Sequence, residues 1–248
     1  MTRVLGIDIG GSGMKAAQVD VVSGEIVSEK HRIDTPRPAT PEAMAEVVGQ
    51  LTSHFDWSGP VGVGFPGVVQ GGFVRTAANL DKSWIDVDGD KVFTDVAGCD
   101  VVMVNDADAA GLAEVRFGAG KDVNGVVILL TLGTGIGSAI FTNGELVPNT
   151  EFGHLDMGGK IAEHRASSRI KDEKDLSFKK WGKQLEDVLQ EMEKLFWPEL
   201  FILGGGISKQ FKEFEEHLDK VRAKIVPAEQ LNRAGIVGAA LAYGRKPS

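Results

Sequence analysis

Two glycine-rich stretches are the first places where the sequence suggests chemistry. Residues 8–15 read DIGGSGMK and residues 131–138 read TLGTGIGS, almost half the chain further on. Glycine lets backbone N–H groups approach an anion closely, and a neighbouring hydroxyl adds a donor. Each loop alone is typical of a tight turn. Their pairing favours a phosphate site formed by Gly10, Gly11, Ser12, Gly13, Lys15, Gly133, Thr134 and Gly135.

An aspartate precedes the first loop. Asp8 is placed to hold Mg²⁺ through water beside the phosphates, because this cation keeps several waters and takes few carboxylates from a protein. Neither loop has the spacing G-x-x-x-x-G-K-[ST] that a P-loop needs. The stretch GVGFPG at 62–67 matches G-x-G-x-x-G but leads into a predicted hairpin, so we predict no dinucleotide site there.

A polar pair follows the strand predicted for residues 100–104. Asn105 and Asp106 precede an alanine-rich helix that ends at Gly118. In isolation such a pair is typical of a helix cap. Carboxylates at the carboxyl ends of sheet strands also border ligand crevices, so Asp106 is a candidate base for an attacking hydroxyl, with Asn105 holding a neighbouring hydroxyl.

Glu151, His154 and Glu163 lie within thirteen positions of one another, amid glycines. This segment has no cysteine or second suitably spaced histidine to complete a zinc site. Sugar hydroxyls are therefore the better ligands for these groups.

A third glycine cluster follows a strand predicted at 200–203 and precedes a helix predicted from about Ser208. The N-terminus of a helix favours phosphate or nucleotide. The cluster consists of Gly204, Gly205 and Gly206.

Residues 164–183 hold seven Lys or Arg against three acids, in a chain whose net charge is -8. A long polyanion gains affinity from such a stretch by releasing its counterions. A solvated lysine face of an amphipathic helix explains the composition equally well. The candidate polyanion residues are Arg165, Arg169, Lys171, Lys179 and Lys180.

The bulk composition bounds the class of protein. The chain has 248 residues, a net charge of -8 and one cysteine, Cys99. The acidic balance argues against broad nucleic-acid binding, and the single cysteine excludes a disulfide and indicates a reduced, cytoplasmic compartment. The longest apolar run, VVILLTL, is too short to span a bilayer, and Asp8 interrupts any signal-peptide core, so we expect no membrane association.

The motifs together resemble the ROK family of bacterial sugar kinases and repressors, over essentially the whole chain. The similarity rests on DIGGSGMK, GFPG, ND at 105–106, LGTGIGSAI, EFGH and LGGGIS, in that order. It implies that Asp106 is the general base for the 6-hydroxyl of a sugar and that the LGGGIS segment lies on the adenosine side of the donor. The hydroxyl ligands that it implies are Asn79, Asn105, Glu151, His154 and Glu163.

The sequence departs from most of that family in one segment. A cysteine-rich zinc motif normally follows E-x-G-H, whereas LDMGGKIAEHR stands here, so we expect no structural zinc. In this departure and in the sequence of the neighbouring segments, the chain is similar to the polyphosphate-using glucokinases of actinobacterial type. That subgroup implies glucose as substrate, inorganic polyphosphate or ATP as donor, glucose 6-phosphate as product, Mg²⁺ as cofactor and a homodimer.

Two other functions remain open at this point. A strictly ATP-dependent hexokinase acting on glucose, mannose or an N-acetylated hexosamine is the nearest. A non-catalytic sugar-binding regulator is more distant: the first strand is predicted to start by Val4, so we expect no N-terminal DNA-binding domain.

The predicted fold is α/β, a duplicated ribonuclease-H-like architecture of the actin, hexokinase and heat-shock ATPase type, with two domains and a central cleft. Residues 1–107 form the smaller predicted domain, with a C-terminal helix at 234–245 packing back on it. Residues 108–233 form the larger domain.

Overall fold

The computed structural model of the chain describes residues 2–78 and 80–244. It divides into two compact units: unit 1 takes the chain up to Ala113 and again from Asn232 onward, and unit 2 takes Glu114–Leu231. The division falls inside a helix, Asp106–Phe117, rather than in a linker. The domain bounds derived from the sequence stay a prediction.

Regular elements account for most of the described chain. The strands are β1 (Arg3–Ile9), β2 (Met14–Asp20), β3 (Glu25–Ile26), β4 (His31–Ile33), β5 (Val61–Phe65), β6 (Val69–Gln70), β7 (Phe73–Val74), β8 (Val101–Asn105), β9 (Val126–Leu132), β10 (Ile136–Thr142), β11 (Glu145–Val147), β12 (Leu200–Gly204) and β13 (Lys224–Pro227). The α-helices are α1 (Pro41–His54), α2 (Gly89–Ala97), α3 (Asp106–Phe117), α4 (Glu163–Ala166), α5 (Ser168–Glu173), α6 (Phe178–Phe196) and α7 (Ala234–Tyr243). Short 3₁₀ turns occur at Lys82–Trp84, Phe152–His154, Gly206–Glu213, Glu215–His217 and Leu231–Arg233.

Unit 1 is built on a sheet in the order β3-β2-β1-β5-β8, with β4 paired to the beginning of β2. Strands β1 and β2 form an antiparallel hairpin, whereas β1, β5 and β8 run parallel. Carboxyl ends of parallel strands meet at one edge of a sheet. Asp8 and Asn105 are both at that edge, since Asp8 pairs with Gly64 and Asn105 pairs with Phe65.

Helix α7 packs against β1 and β5 at very short range. A Cβ atom on Gly6 would overlap the carbonyl of Ile236, and one on Gly62 would overlap that of Ala239. Gly238 meets the carbonyl of Ala109 in the same way. Glycine is needed wherever two backbones approach so closely. The small residues of α7 therefore bring its first turn against the end of β1.

Unit 2 repeats the plan of unit 1. Its sheet has the order β11-β10-β9-β12-β13, with an antiparallel β9–β10 hairpin and parallel β9, β12 and β13. Helix α6 covers it with an apolar face whose largest buried side chain is Trp181. The indole Nε1 of Trp181 donates to the carbonyls of Ala166 and Ser167 at 3.1 and 3.3 Å, which fixes α4 and α5 on α6. The duplicated α/β plan predicted from the two glycine loops is confirmed.

The predicted helix after the third glycine cluster is the main local difference. Residues Gly206–Glu213 form a 3₁₀ segment that loses helical geometry at Gln210. The hydroxyl of Ser208 donates to the carbonyl of Gly205 at 2.8 Å. Such local hydroxyl-to-backbone bonds compete with an α-helical start, so the segment does not offer the N-terminus of a regular α-helix.

None of the helices in the described part of the chain is both long enough and apolar enough to cross a membrane.

Candidate functional site

The first glycine loop is a tight hairpin connection at the end of β1. The amide of Gly10 donates to the carbonyl of Gly13 at 3.0 Å, and Gly11 and Ser12 between them are exposed. The hydroxyl of Thr35 donates to the carbonyl of Gly10 at 2.6 Å and ties the loop to the chain after β4. A Cβ on Gly11 would meet no atom within 4 Å. The loop therefore presents open backbone on its outer side.

Asp8 lies beside this loop in a partly buried position, with 27% of its side chain exposed. Its Oδ2 atom is 4.0 Å from Nζ of Lys15, which pairs with it across the hairpin. Gly235 at the start of α7 makes room for the carboxylate, because a Cβ there would come within 2.6 Å of it. Burial raises the pKa of the Asp8 carboxyl, while Lys15 and Lys30 act against that rise.

Asn105 and Asp106 mark the junction between β8 and α3 that the sequence predicts. The Oδ1 atom of Asn105 accepts from the amides of Ala107 and Asp108 at 2.9 and 3.0 Å, and its Nδ2 donates to the carbonyl of Gly67 at 3.1 Å. Asn105 is 5% exposed, so it caps the helix and ties the GFPG turn to it. Its role on a hydroxyl stays a prediction. Asp106 follows as the first, partly exposed residue of α3.

The second glycine loop joins β9 to β10 in unit 2. The amide of Gly133 donates to the carbonyl of Gly135 at 3.0 Å, and Thr134 is exposed. The carbonyl of Gly133 accepts from the Ser168 hydroxyl at 2.9 Å and from the amide of Arg169 at 3.2 Å. The loop is thus held by the first residues of α5, which lie within the cationic stretch.

The structure brings Glu151, His154 and Glu163 together in unit 2. Nδ1 of His154 is 3.7 Å from Oε2 of Glu151. Burial raises the pKa of the Glu151 carboxyl, His154 acts against the rise and Glu163 adds to it. Oε2 of Glu163 lies 2.5 Å from where a Cβ on Gly135 would be. This cluster of two carboxylates and an imidazole therefore adjoins the second glycine loop.

The third glycine cluster also adjoins the second loop. Gly205 has a φ of +85°, and a Cβ there would overlap the carbonyl of Leu132, the last residue of β9. A residue other than glycine is excluded by both the dihedral angle and the space. Gly204 and Gly206 are free of such crowding.

The cationic stretch divides into an engaged part and an exposed part. Arg165 donates to the carbonyl of Met157 at 3.0 Å, and Lys171 lies 4.4 Å from the centre of the Phe178 ring. Arg169 is 3.9 Å from a carboxylate oxygen of Glu173. Lys179 and Lys180 are exposed in the first turn of α6.

Several positions beside the loops carry no sequence signal of their own. The residues concerned contact one of the loops or Asp8, although each is at least 20 positions from its partner in the chain: Arg32, Thr35, Gly235 and Ser168. Strand pairing and helix docking bring them there, and neither is visible in local patterns. Asn79, a predicted sugar ligand, lies outside the described residues.

Two sheets of the same order, each with a glycine hairpin at the end of its first strand, define the actin/hexokinase-like fold of sugar kinases. The chain belongs to the ROK family, whose model matches residues 4–174.

Comparisons with individual proteins agree with this assignment. The chain is 52% identical to the polyphosphate glucokinase of Mycobacterium tuberculosis (strain H37Rv) over 238 residues, which cover 96% of this chain and 89% of that protein. Its structure is similar to the inorganic polyphosphate/ATP-glucomannokinase from Arthrobacter sp. strain KM, with a TM-score of 0.93, 46% identity and full coverage (100%) of both chains. It is also similar to a ROK family glucokinase from Streptomyces griseus in complex with glucose and AMPPNP, with a TM-score of 0.82, 26% identity and coverage of 98% and 99%.

Proposed function

We propose that this chain transfers a phosphoryl group from inorganic polyphosphate to the 6-hydroxyl of glucose, giving glucose 6-phosphate and a polyphosphate one unit shorter. The observation that carries the proposal is the contact of a phosphate-type loop with a hydroxyl-binding cluster, at Gly135 and Glu163. Relatives 52% and 46% identical to the chain are named as polyphosphate glucokinase and polyphosphate/ATP-glucomannokinase.

Glucose recognition is assigned to Glu151, His154 and Glu163. Carboxylates accept hydrogen bonds from sugar hydroxyls, and the imidazole either donates or accepts. Hydrogen bonds to charged groups are stronger than those between neutral groups, so a charged pair of acceptors suits a polar, uncharged sugar. Asn79 and Asn105 complete the predicted ligand set.

Proton transfer is assigned to Asp106. Its carboxylate takes the proton of the 6-hydroxyl while that oxygen forms a bond to the terminal phosphorus of the donor, and the bond to the leaving phosphate oxygen breaks. Asp106 is suited to this role because it follows the carboxyl end of β8 and begins a helix, whose N-terminus stabilises an anionic side chain. Asn105 fixes that helix start through its bonds to Ala107 and Asp108.

Donor binding is assigned to the two glycine loops, to Asp8 and Lys15, and to the segment of Gly204, Gly205 and Gly206. No group of three or more metal-ligating side chains occurs in the described part of the chain. A single carboxylate nevertheless fits Mg²⁺, which keeps several waters and takes its other ligands from phosphates. Asp8 would hold the ion through water, and Gly235 leaves room for its carboxylate. When bound, Mg²⁺ supplies neutralisation of phosphate charge.

The distal part of a polyphosphate chain is assigned to the cationic stretch. The stretch contacts the second glycine loop, because the amide of Arg169 donates to the carbonyl of Gly133. Of the five candidate residues, Arg165, Arg169 and Lys171 have protein partners, so the exposed Lys179 and Lys180 are the two most available to a polyanion.

ATP is the alternative donor, and one contact favours retaining it. Gly205 packs on the end of β9, next to the second glycine loop, where a nucleotide-side segment is expected from the resemblance. The segment on the adenosine side and the cationic stretch consist of different residues. ATP and polyphosphate could therefore each have its own contacts while sharing one catalytic base.

The test is glucose 6-phosphate formation from glucose and Mg²⁺ with long-chain polyphosphate or ATP as the sole donor, followed by a coupled dehydrogenase. We expect activity with polyphosphate. Activity with ATP alone would overturn the donor assignment, and no product with either donor would overturn the sugar assignment. Magnesium dependence, a homodimer and a cytoplasmic location remain predictions.

A further inference from the structure

A row of charged side chains crosses three adjacent strands of unit 1 beside the first glycine loop. Asp8 in β1 pairs with Lys15 in β2, and Lys15 pairs in turn with Arg32 in β4. Lys15 and Arg32 are therefore directly opposed cations, in a chain whose net charge is -8. Like charges directly opposite one another destabilise an antiparallel pair. An anion bound between them would remove that cost.

Arg32 already lies against the loop itself. Its Nη2 donates to the carbonyl of Ser12 at 2.6 Å, and its guanidinium fills the space where a Cβ on Gly13 would stand. The side chain is nevertheless 48% exposed. Glycine at position 13 thus allows the guanidinium to approach the turn of the loop.

The second partner of Arg32 is a carboxylate that an anion can replace. Nη1 of Arg32 is 2.7 Å from Oδ1 of Asp34, whose side chain is 81% exposed. A guanidinium has five N–H groups in a planar fork that matches phosphate as well as carboxylate. Within the described part of the chain it uses only these two partners, Ser12 and Asp34.

We propose that Arg32 is a donor-binding residue, which together with Lys15 holds a phosphate oxyanion of the donor at the first glycine loop. Asp34 occupies the guanidinium in the free protein, and the phosphate displaces it. The inference rests on the proposed function, because it names one more residue of the donor site.

The test uses inorganic tripolyphosphate as the probe and titration calorimetry at several salt concentrations. For Arg32→Gln we expect affinity to fall about tenfold, as for loss of one charge-assisted phosphate contact. The slope of log affinity against log salt should become shallower by about 0.7–0.9, the counterion equivalent of one contact. Arg32→Lys, which keeps the charge but loses the fork, should fall between the two proteins. Lys91→Gln removes an exposed, ion-paired cation from the same unit and should leave both values unchanged.

Asp34→Asn gives a prediction of the opposite sign. Removal of the competing carboxylate should raise the affinity for tripolyphosphate about threefold or more, since Arg32 no longer has to leave a charged partner. If Arg32 only supported the loop through Ser12, Asp34→Asn would not tighten binding, and Arg32→Gln would lower affinity without changing the salt slope. Either result would overturn the inference.

Failure of this inference is distinguishable from failure of the proposed function. Suppose that the wild type forms glucose 6-phosphate from polyphosphate but the salt slope is unchanged in Arg32→Gln. The proposed role of Arg32 would then be wrong, and the proposed function would stand. A wild type that forms no glucose 6-phosphate removes the proposed function, whereas tripolyphosphate binding still decides whether Arg32 contacts the anion.

Discussion

The two glycine loops share a backbone plan and differ in the charge that stands against them. Each has one glycine with open space beside it, Gly11 and Gly133, and one glycine crowded by a side chain. In the first loop that side chain is the guanidinium of Arg32, which crowds Gly13. In the second it is the carboxylate of Glu163, which crowds Gly135.

This difference indicates how a duplicated fold divides its work. A cation beside the first loop suits the phosphates of the donor. A carboxylate beside the second loop suits a sugar hydroxyl, so we expect the residues at that loop to contact both the donor and the sugar. The backbone repeat supplies the hairpin twice, and the residues packed against it supply the distinction.

The largest expected effect concerns Asp106, the proposed base, which lies outside both loops. Asp106→Asn should lower kcat by about 10²–10⁴-fold, the usual contribution of a general base, while glucose affinity changes little. Steady-state kinetics and a glucose titration measure both quantities. Asp95→Asn, an exposed ion-paired aspartate of unit 1, is the matched control. A kcat near that of the control would remove Asp106 from the base role.

Glu163 is expected to act on glucose more than on the donor. Glu163→Gln should raise the KM for glucose about tenfold, because a charged acceptor binds a hydroxyl more strongly than a neutral one. The KM for polyphosphate should change far less. Glu191→Gln, which changes a partly exposed, ion-paired glutamate on α6, serves as control. Equal changes for both substrates would contradict the assignment of Glu163 to the sugar.

Alanine at the crowded glycines separates the two loops directly. Gly13→Ala displaces Arg32 and should raise the KM for the donor alone, by about tenfold, since one charge-assisted contact is lost. Gly135→Ala displaces Glu163 and should raise the KM for glucose as well. Gly11→Ala and Gly133→Ala add a methyl group in open space, so their melting temperatures should stay unchanged while donor affinity falls. Identical kinetic profiles for Gly13→Ala and Gly135→Ala would break the comparison.

The exposed cations of α6 should act on polyphosphate alone. Replacing Lys179 and Lys180 with Glu should raise the KM for long-chain polyphosphate severalfold (about 3–10-fold) at low salt, with the effect shrinking as salt screens the charges. The KM for ATP should hardly change. Lys194→Glu, near the other end of the same helix, is the matched control. Equal changes in the KM for both donors would show that these lysines do not bind polyphosphate specifically and form only a solvated surface.

The smallest expected effect concerns stability at Asp8. Burial raises the pKa of its carboxyl, so this group binds its proton more tightly in the folded than in the unfolded chain. That stabilisation is present at low pH and is lost as pH rises through the folded pKa, which leaves a buried charge at neutral pH. Asp8→Asn should therefore raise Tm at pH 7 by about 2–4 °C, the shift that ~1 kcal/mol produces in a chain of this size. Thermal unfolding at pH 7 measures it, and a lower Tm would contradict the account.

The same shift predicts the pH dependence of magnesium binding. Because Mg²⁺ needs the ionised carboxylate, its apparent affinity should fall as pH drops below the raised pKa of Asp8, earlier than for an ordinary aspartate. Titrations of Mg²⁺ dependence at several pH values check this. In Asp8→Asn that pH dependence should disappear.

The parts of the fold that the sequence predicts well are those that depend on short stretches of residues. The strand at 100–104, the helix after it that ends at Gly118 and the strand at 200–203 all follow from apolar periodicity and turn residues. The 3₁₀ segment after Gly205 was predicted as a helix, because the bond from Ser208 to the Gly205 carbonyl is invisible in an apolar pattern.

The features that the sequence does not predict are contacts between residues that are distant in the chain. Arg32 reaches the first loop only because β4 pairs with β2 in one particular register, and Gly235 reaches Asp8 only because α7 docks on β1. Register and docking depend on tertiary packing, which no short stretch encodes. The sequence allows two roles for Asn105, a helix cap and a ligand of a hydroxyl, and the structure confirms the cap.

The most direct test of the central claim follows the phosphorus atoms themselves. Phosphorus NMR of the chain with glucose, Mg²⁺ and polyphosphate of defined length should show one phosphate monoester formed for each unit that the polyphosphate loses. Its resonance should be split into a triplet by the protons on carbon 6, with no matching rise of orthophosphate. Orthophosphate without ester, or an ester on another carbon, would contradict phosphoryl transfer from polyphosphate to the 6-hydroxyl of glucose.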